Sequence, residues 1–70
     1  MNDATRNMVE DAYYEAFRES QDRGVSMLNA HKEAVVAAAM LLAALDGLED
    51  DAARAAVIAL NLRPLSDEAA

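Results

Sequence analysis

The only histidine of the chain, His31, is the residue with the widest range of possible chemistry. It falls between Leu28 and Val35 at helical spacing on an apolar face, where an imidazole could titrate across a subunit contact or bind a metal. A zinc site needs three or four protein ligands, and the sequence contains no Glu-x-x-His or His-x-x-x-His pair. We therefore interpret His31 as a structural residue that is hydrogen-bonded in the core or at its edge, and we expect neither a metal nor a cofactor.

Two groups of carboxylates could also do chemistry, because paired carboxylates bind hard cations and act as acid and base. Glu15, Glu19 and Asp22 lie at helical spacing, but Arg18 and Arg23 are close to them along the chain, which is typical of a solvated charged face. The second group lacks the spacing of a calcium loop and suits helix capping instead: Asp46, Glu49, Asp50 and Asp51. We expect no catalytic or metal site from either group.

Nucleophilic and phosphate-binding chemistry has little support in the sequence. The serines and the threonine stand outside any Gly-x-Ser-x-Gly elbow, the single histidine leaves few possible bases, and there is no glycine-rich loop. An enzyme of this size would have to build its site across an oligomer interface. We therefore expect no catalytic residues and no enzymatic activity.

The charge of the chain restricts its partners. Thirteen carboxylates against six lysines and arginines give a formal net charge of −7, which opposes binding to phosphate backbones and anionic membranes. A helix-turn-helix protein would need a basic recognition helix, yet Arg54 is the only basic residue within the third predicted helix. We expect no nucleic acid and no membrane among the partners, which should be neutral or basic.

The elements that position these residues are organised around residues 34–45, which are all apolar. This run is shorter than the roughly 20 residues of a bilayer span, and a helix that is apolar on every side has to be enclosed on every side. The sequence predicts an all-α, compact three-helix unit with helices at about 3–23, 26–46 and 50–61. Residues 1–63 form a single helical domain in this interpretation, and 64–70 form a flexible tail because Pro64 prevents continuation of the third helix.

Local signals set the predicted helix ends. Asn2 or Asp3 can cap the first helix and Ser26 the second, since a short side-chain oxygen accepts from the free N–H groups of the opening turn. Gly24 and Gly47 can take the left-handed conformation that ends a helix. These residues divide the chain into the three helices given above.

The second predicted helix carries more than one apolar face. A heptad seam with alternating spacings of three and four consists of Leu28, His31, Val35, Ala38, Leu42 and Leu45. Val36, Met40 and Ala43 face elsewhere, so this helix should meet more than one neighbour, and the alanines between the large residues should let those neighbours approach closely. In the third helix, Val57 and Ile58 border a polar sector and should matter more for association than for folding.

The length of the chain favours self-association. Seventy residues bury only about 60% of the surface that the unfolded chain exposes, and without cysteine no disulfide can compensate. We therefore expect a helical homodimer or higher oligomer. Its predicted interface combines the seam with the third helix: Leu28, His31, Val35, Leu42, Leu45, Val57 and Ile58.

Two functions fit these features. The first is a non-catalytic protein–protein interaction or scaffolding module whose dimer is the functional unit. The second is a small acidic regulator, such as an antitoxin or a phage-type inhibitor, which would contact a basic protein through Tyr14, Glu15 and Glu19 on an acidic face. Abundant alanine suggests a bacterial or phage genome, and with no basic segment followed by an apolar one at the N-terminus we expect a cytoplasmic protein.

Overall fold

The computed structural model describes residues 1–63 and confirms the all-α, compact three-helix unit. Helix α1 spans Asp3–Asp22, α2 spans Met27–Asp46 and α3 spans Asp50–Ala59. The predicted bounds hold to within a residue or two. Helix α3 ends slightly earlier than expected because Asn61 already has a positive φ of 55°. The predicted flexible tail, residues 64–70, lies outside the described residues.

The helix ends form as their sequence signals predicted. The Asn2 side chain accepts from the Thr5 backbone N–H at 2.8 Å, and the Ser26 hydroxyl accepts from that of Asn29 at 3.2 Å. Gly24 and Gly47 have φ values of 84° and 66°, which L side chains rarely adopt. Each cap therefore satisfies backbone donors or reverses the chain where the next helix has to begin.

The core is built from ridges of residues spaced four apart. On α1 the buried ridge is Thr5, Val9, Tyr13 and Phe17, and on α2 it is Ala30, Ala34, Ala38 and Leu42. Ala53 and Val57 continue this spacing on α3. Large side chains of α1 thus meet mostly alanines of α2, which allows the two backbones to approach closely. Of the alanines between the large residues of residues 34–45, Ala38 and Ala39 are buried, whereas Ala44 is exposed.

Helix α2 is central but only partly enclosed. Both α1 and α3 pack against α2, whereas contacts between α1 and α3 are few within residues 1–63. Leu28 is 64% exposed and Met40 is 67% exposed. The single chain therefore does not enclose α2 on every side, because two neighbours cover only part of a helix surface. The expectation that association supplies the remaining cover stays a prediction.

The heptad seam is also only partly buried. Ala38 and Leu42 are fully buried, but Leu28 and Leu45 lie near opposite ends of α2 and remain exposed. The alanine ridge, with its spacing of four, determines which side of α2 faces α1, so the two ends of the seam lie outside the core of the single chain. The role of the seam in an oligomer interface stays a prediction. Met8 of α1 is likewise 45% exposed.

By length and composition alone, α2 could cross a membrane. Its mean hydropathy is 1.3, and 28% of its apolar window is buried by the rest of the structure. A core helix of a soluble protein has the same length and composition, so this feature by itself does not assign α2 to a bilayer. The expectation that the protein does not bind membranes stays a prediction.

Candidate interaction surface

His31 pairs with a buried tyrosine. The Tyr13 hydroxyl lies 2.6 Å from His31 Nδ1, and the two rings meet edge to face with centroids 5.5 Å apart. Tyr13 is fully buried and His31 is half-buried, which confirms the interpretation of His31 as a hydrogen-bonded residue at the core edge. The tyrosine partner was not anticipated from the sequence, because it depends on how α1 and α2 align.

The Tyr13–His31 hydrogen bond links α1 to α2. Burial raises the pKa of Tyr13, the nearby Tyr14 adds to that shift, and the Arg63 charge opposes it. The phenol therefore stays protonated at neutral pH and donates to Nδ1 when neutral His31 carries its proton on Nε2. A cleft of about 170 Å³ lies beside His31, with Val57, Leu62 and Arg63 among its lining residues.

A second polar cluster joins the end of α1 to the first turns of α2. The Ser20 hydroxyl is buried and donates to Glu33 Oε1 at 2.7 Å, and Arg23 Nη2 donates to the same oxygen at 2.8 Å. The hydrogen bond from Ser20 lowers the pKa of Glu33, and that from Arg23 lowers it further, against a smaller opposing effect of desolvation. This cluster holds the turn at Gly24 in place. Arg23 pairs with Glu33 of α2, whereas the sequence pattern predicts that it neutralises carboxylates of α1.

The acidic face of α1 retains free charge. Glu15 and Glu19 are exposed, and within residues 1–63 the ion pairs are Arg6–Glu10 and Arg23–Glu33. Neither pair neutralises this part of the face. Tyr14 is half-buried because its ring packs edge to face on Tyr13, with centroids 5.0 Å apart. The residues predicted to bind a basic partner thus lie on one helix, with Tyr14 fixed against the core.

An apolar groove runs between α2 and α3 on the surface of the described residues. One groove of about 360 Å³ is lined by His31, Lys32, Val35, Val36, Arg54 and Ile58. A second, of about 300 Å³, is lined by Val36, Ala39, Met40, Asp50 and Arg54. Because Val36 and Arg54 line both, the two are continuous, and we call them together the α2–α3 groove.

Large apolar side chains line this groove while remaining accessible to water. Val36 is 42% exposed, Met40 67% and Ile58 58%. Three of the predicted interface residues, His31, Val35 and Ile58, also line it. Val36 and Met40 were not among them, although the second apolar face of the predicted helix contained both. That face was the sequence signal for the groove.

The other predicted interface residues are distributed differently. Leu42 is fully buried and Val57 is 1% exposed, and both belong to the core of the single chain. The expectation that Val57 matters more for association than for folding is therefore wrong, because its side chain already packs between α2 and α3. Leu28 and Leu45 remain accessible at the two ends of α2.

Within residues 1–63, no group of three or more histidine or carboxylate side chains is placed to hold a metal ion. No protein-family model matches the chain, and no curated protein or solved structure is significantly similar to it.

Proposed function

We propose that this protein is a non-catalytic interaction module that associates with itself through the α2–α3 groove. The observation that carries the proposal is the exposure of Val36, Met40 and Ile58 along one continuous groove. Soluble monomers rarely expose contiguous apolar patches larger than about a few hundred Å², and patches above that size mark interaction sites. A homodimer would cover this surface and enclose more of α2.

The exposed apolar area sets the expected strength of association. Burying a large aliphatic or methionine side chain contributes about 1.5–3 kcal/mol, and each of the three groove side chains has roughly half of its surface left to bury. Two copies would thus gain on the order of 5–10 kcal/mol, against an association cost of about 4–15 kcal/mol. The gain and the cost are of similar size, so we expect weak, reversible dimers with a dissociation constant of tens of micromolar or higher.

Light scattering coupled to size-exclusion chromatography tests this function. The molar mass should rise with concentration from 7.5 kDa toward twice that value. Met40→Glu places a charge in the groove and should keep the chain monomeric. Met8→Glu is the matched control, since Met8 is an exposed helical methionine of α1 and should leave dimerisation unchanged. A native chain that stays monomeric up to millimolar concentration would contradict the proposal.

A second candidate function is the small acidic regulator, favoured by the unpaired carboxylates of α1. Glu15 and Glu19 are exposed beside the half-buried Tyr14, so a basic surface could pair with both acids and contact the ring. Capture from a lysate of the source organism should then weaken with salt and with Glu15→Lys combined with Glu19→Lys. The control reverses two carboxylates elsewhere, Asp46 and Glu49, and should leave capture intact. Equal loss in both variants would contradict a specific role for the α1 face.

A further inference from the structure

The α2–α3 groove has an ordered arrangement of charge along its length. On α2, Lys32, Val36 and Met40 follow one another at intervals of four residues, or about 6 Å. On α3, Ile58, Arg54 and Asp50 follow the same course, since Ile58 lines the groove with Lys32 and Asp50 lines it with Met40. The groove thus runs from a basic end, through apolar side chains, to an acidic end.

This arrangement forms two adjacent rows across the groove. The first row pairs Val36 with Arg54, and the second pairs Met40 with Asp50. Each row therefore contains one apolar and one charged residue, and the two charges are opposite. Such a surface is complementary to a second copy of itself. When the second copy is turned by 180° and placed face to face with the first, its second row lies against the first row of the other copy.

We infer that two copies pack groove to groove about a two-fold axis between these rows, an arrangement that rests on the proposed self-association. Val36 of each copy contacts Met40 of the other, and Arg54 of each copy pairs with Asp50 of the other. Because the rotation is two-fold, both contacts form twice. The basic end at Lys32 then lies toward the acidic end of the second copy's groove.

Charge complementarity favours a second copy over other occupants. The formal charge of −7 makes two copies repel each other overall, so their contact has to bring opposite charges together locally. A basic peptide along the groove would meet Lys32 and Arg54, and an acidic peptide would meet Asp50. A second copy in the inverted direction places unlike charges together at both ends. The exposed Ala44, one turn beyond Met40 on α2, leaves room for the close approach of another helix.

Charge exchange tests this arrangement by sedimentation equilibrium. Asp50→Arg alone and Arg54→Asp alone each place like charges together twice, and either change should weaken dimerisation by about tenfold or more. The double variant Asp50→Arg with Arg54→Asp restores both pairs and should dimerise within about threefold of the native chain. Mixing the two single variants should give a heterodimer tighter than either homodimer, since every contact in it joins unlike charges.

The matched control is Asp51→Arg, which removes another acid from the first turn of α3 but does not line the groove. Like Asp50→Arg, this substitution removes a favourable interaction between an acid and the N-terminus of α3. It should leave the dissociation constant of the dimer near that of the native chain. Far-UV circular dichroism verifies that each variant is folded. A double variant as weak as the single ones, or a mixture without heterodimer, would overturn the arrangement while a native dimer would still support self-association. A monomeric native chain would overturn both.

Cysteine cross-linking gives a second measurement that does not alter charge. The native chain has no cysteine, so every disulfide must involve an introduced thiol. A mixture of Val36→Cys and Met40→Cys chains should form the mixed disulfide faster than either chain forms its own, because these two positions are opposite each other in the inferred dimer. Equal or slower formation of the mixed product would contradict the axis between the two rows.

Discussion

The alanine ridge of α2 predicts an unusual sensitivity to larger side chains. Ala34 is fully buried, and the core cluster around it includes Tyr13 and Phe17 of α1. Ala34→Leu adds three carbon atoms at a fully buried position of this cluster, so α1 has to move away or the side chains have to leave their preferred rotamers. Such overpacking costs about 1–3 kcal/mol, occasionally more.

The size of the protein makes that cost easy to measure. Stabilities of about 0.05–0.15 kcal/mol per residue give a domain of this length roughly 3–10 kcal/mol in total. With about 4–8 °C of melting temperature per kcal/mol for small domains, Ala34→Leu should lower the melting temperature by roughly 4–24 °C. Thermal unfolding followed by circular dichroism, at a concentration where the chain is monomeric, measures the shift.

The control is the same substitution at an exposed position. Ala55 lies on the outer side of α3, and Ala55→Leu should change the free energy of unfolding by no more than about 0.5 kcal/mol. Leu28→Ala is a second comparison, because a residue 64% exposed should also cost little, whereas a buried seam leucine would cost about 2–5 kcal/mol. Suppose instead that the Ala34→Leu variant is as stable as native and the Leu28→Ala variant is strongly destabilised. This result would refute the packing of the alanine ridge against α1 and would indicate that α2 buries its heptad seam.

Three further perturbations test the polar contacts. Tyr13→Phe removes the hydrogen bond to His31 and should cost about 0.5–1.5 kcal/mol of folding free energy at neutral pH. Because the pKa of Tyr13 is raised in the folded state, the native chain should also lose stability as pH rises above about 10, and the variant should lose less. Ser20→Ala should raise the pKa of Glu33 toward its ordinary value in an NMR titration. Because the pKa of Glu33 is lowered in the folded native chain, the variant should be less stable than native at pH 7, and this difference should vanish as pH falls through the native pKa of Glu33. His31→Leu removes the acceptor for the buried Tyr13 hydroxyl and should cost about 1–3 kcal/mol in urea unfolding, whereas His31→Gln keeps an acceptor oxygen and should cost less; equal losses would exclude the hydrogen bond as the cause.

The helix bounds could be predicted because they depend on local chemistry. Asn2, Ser26, Gly24 and Gly47 act within one turn of the chain, and each does in the structure what its residue type favours. The rotation of α2 about its axis could not be predicted in the same way. Residues 34–45 contain no polar side chain to mark an outer face, so the neighbours decide which side is buried.

The candidate site was predictable only in part, for a related reason. Ile58 and Val35 were expected at an interface and do line the groove, but Leu42 and Val57 were assigned there from spacing alone and are core residues. Spacing shows which residues share a face, whereas burial depends on which helix covers that face. The Tyr13–His31 contact likewise depends on the relative register of α1 and α2, which no local pattern specifies.

Methionine methyl NMR across a dilution series of the native chain tests the central claim, self-association through the α2–α3 groove, most directly. Met40 lines the groove, while Met8 is exposed on α1 and serves as an internal reference. The Met40 methyl signal should move with concentration along a dimerisation curve, and the Met8 signal should stay in place. A Met40 signal that is constant over the whole series, or a Met8 signal that moves in its place, would contradict the account.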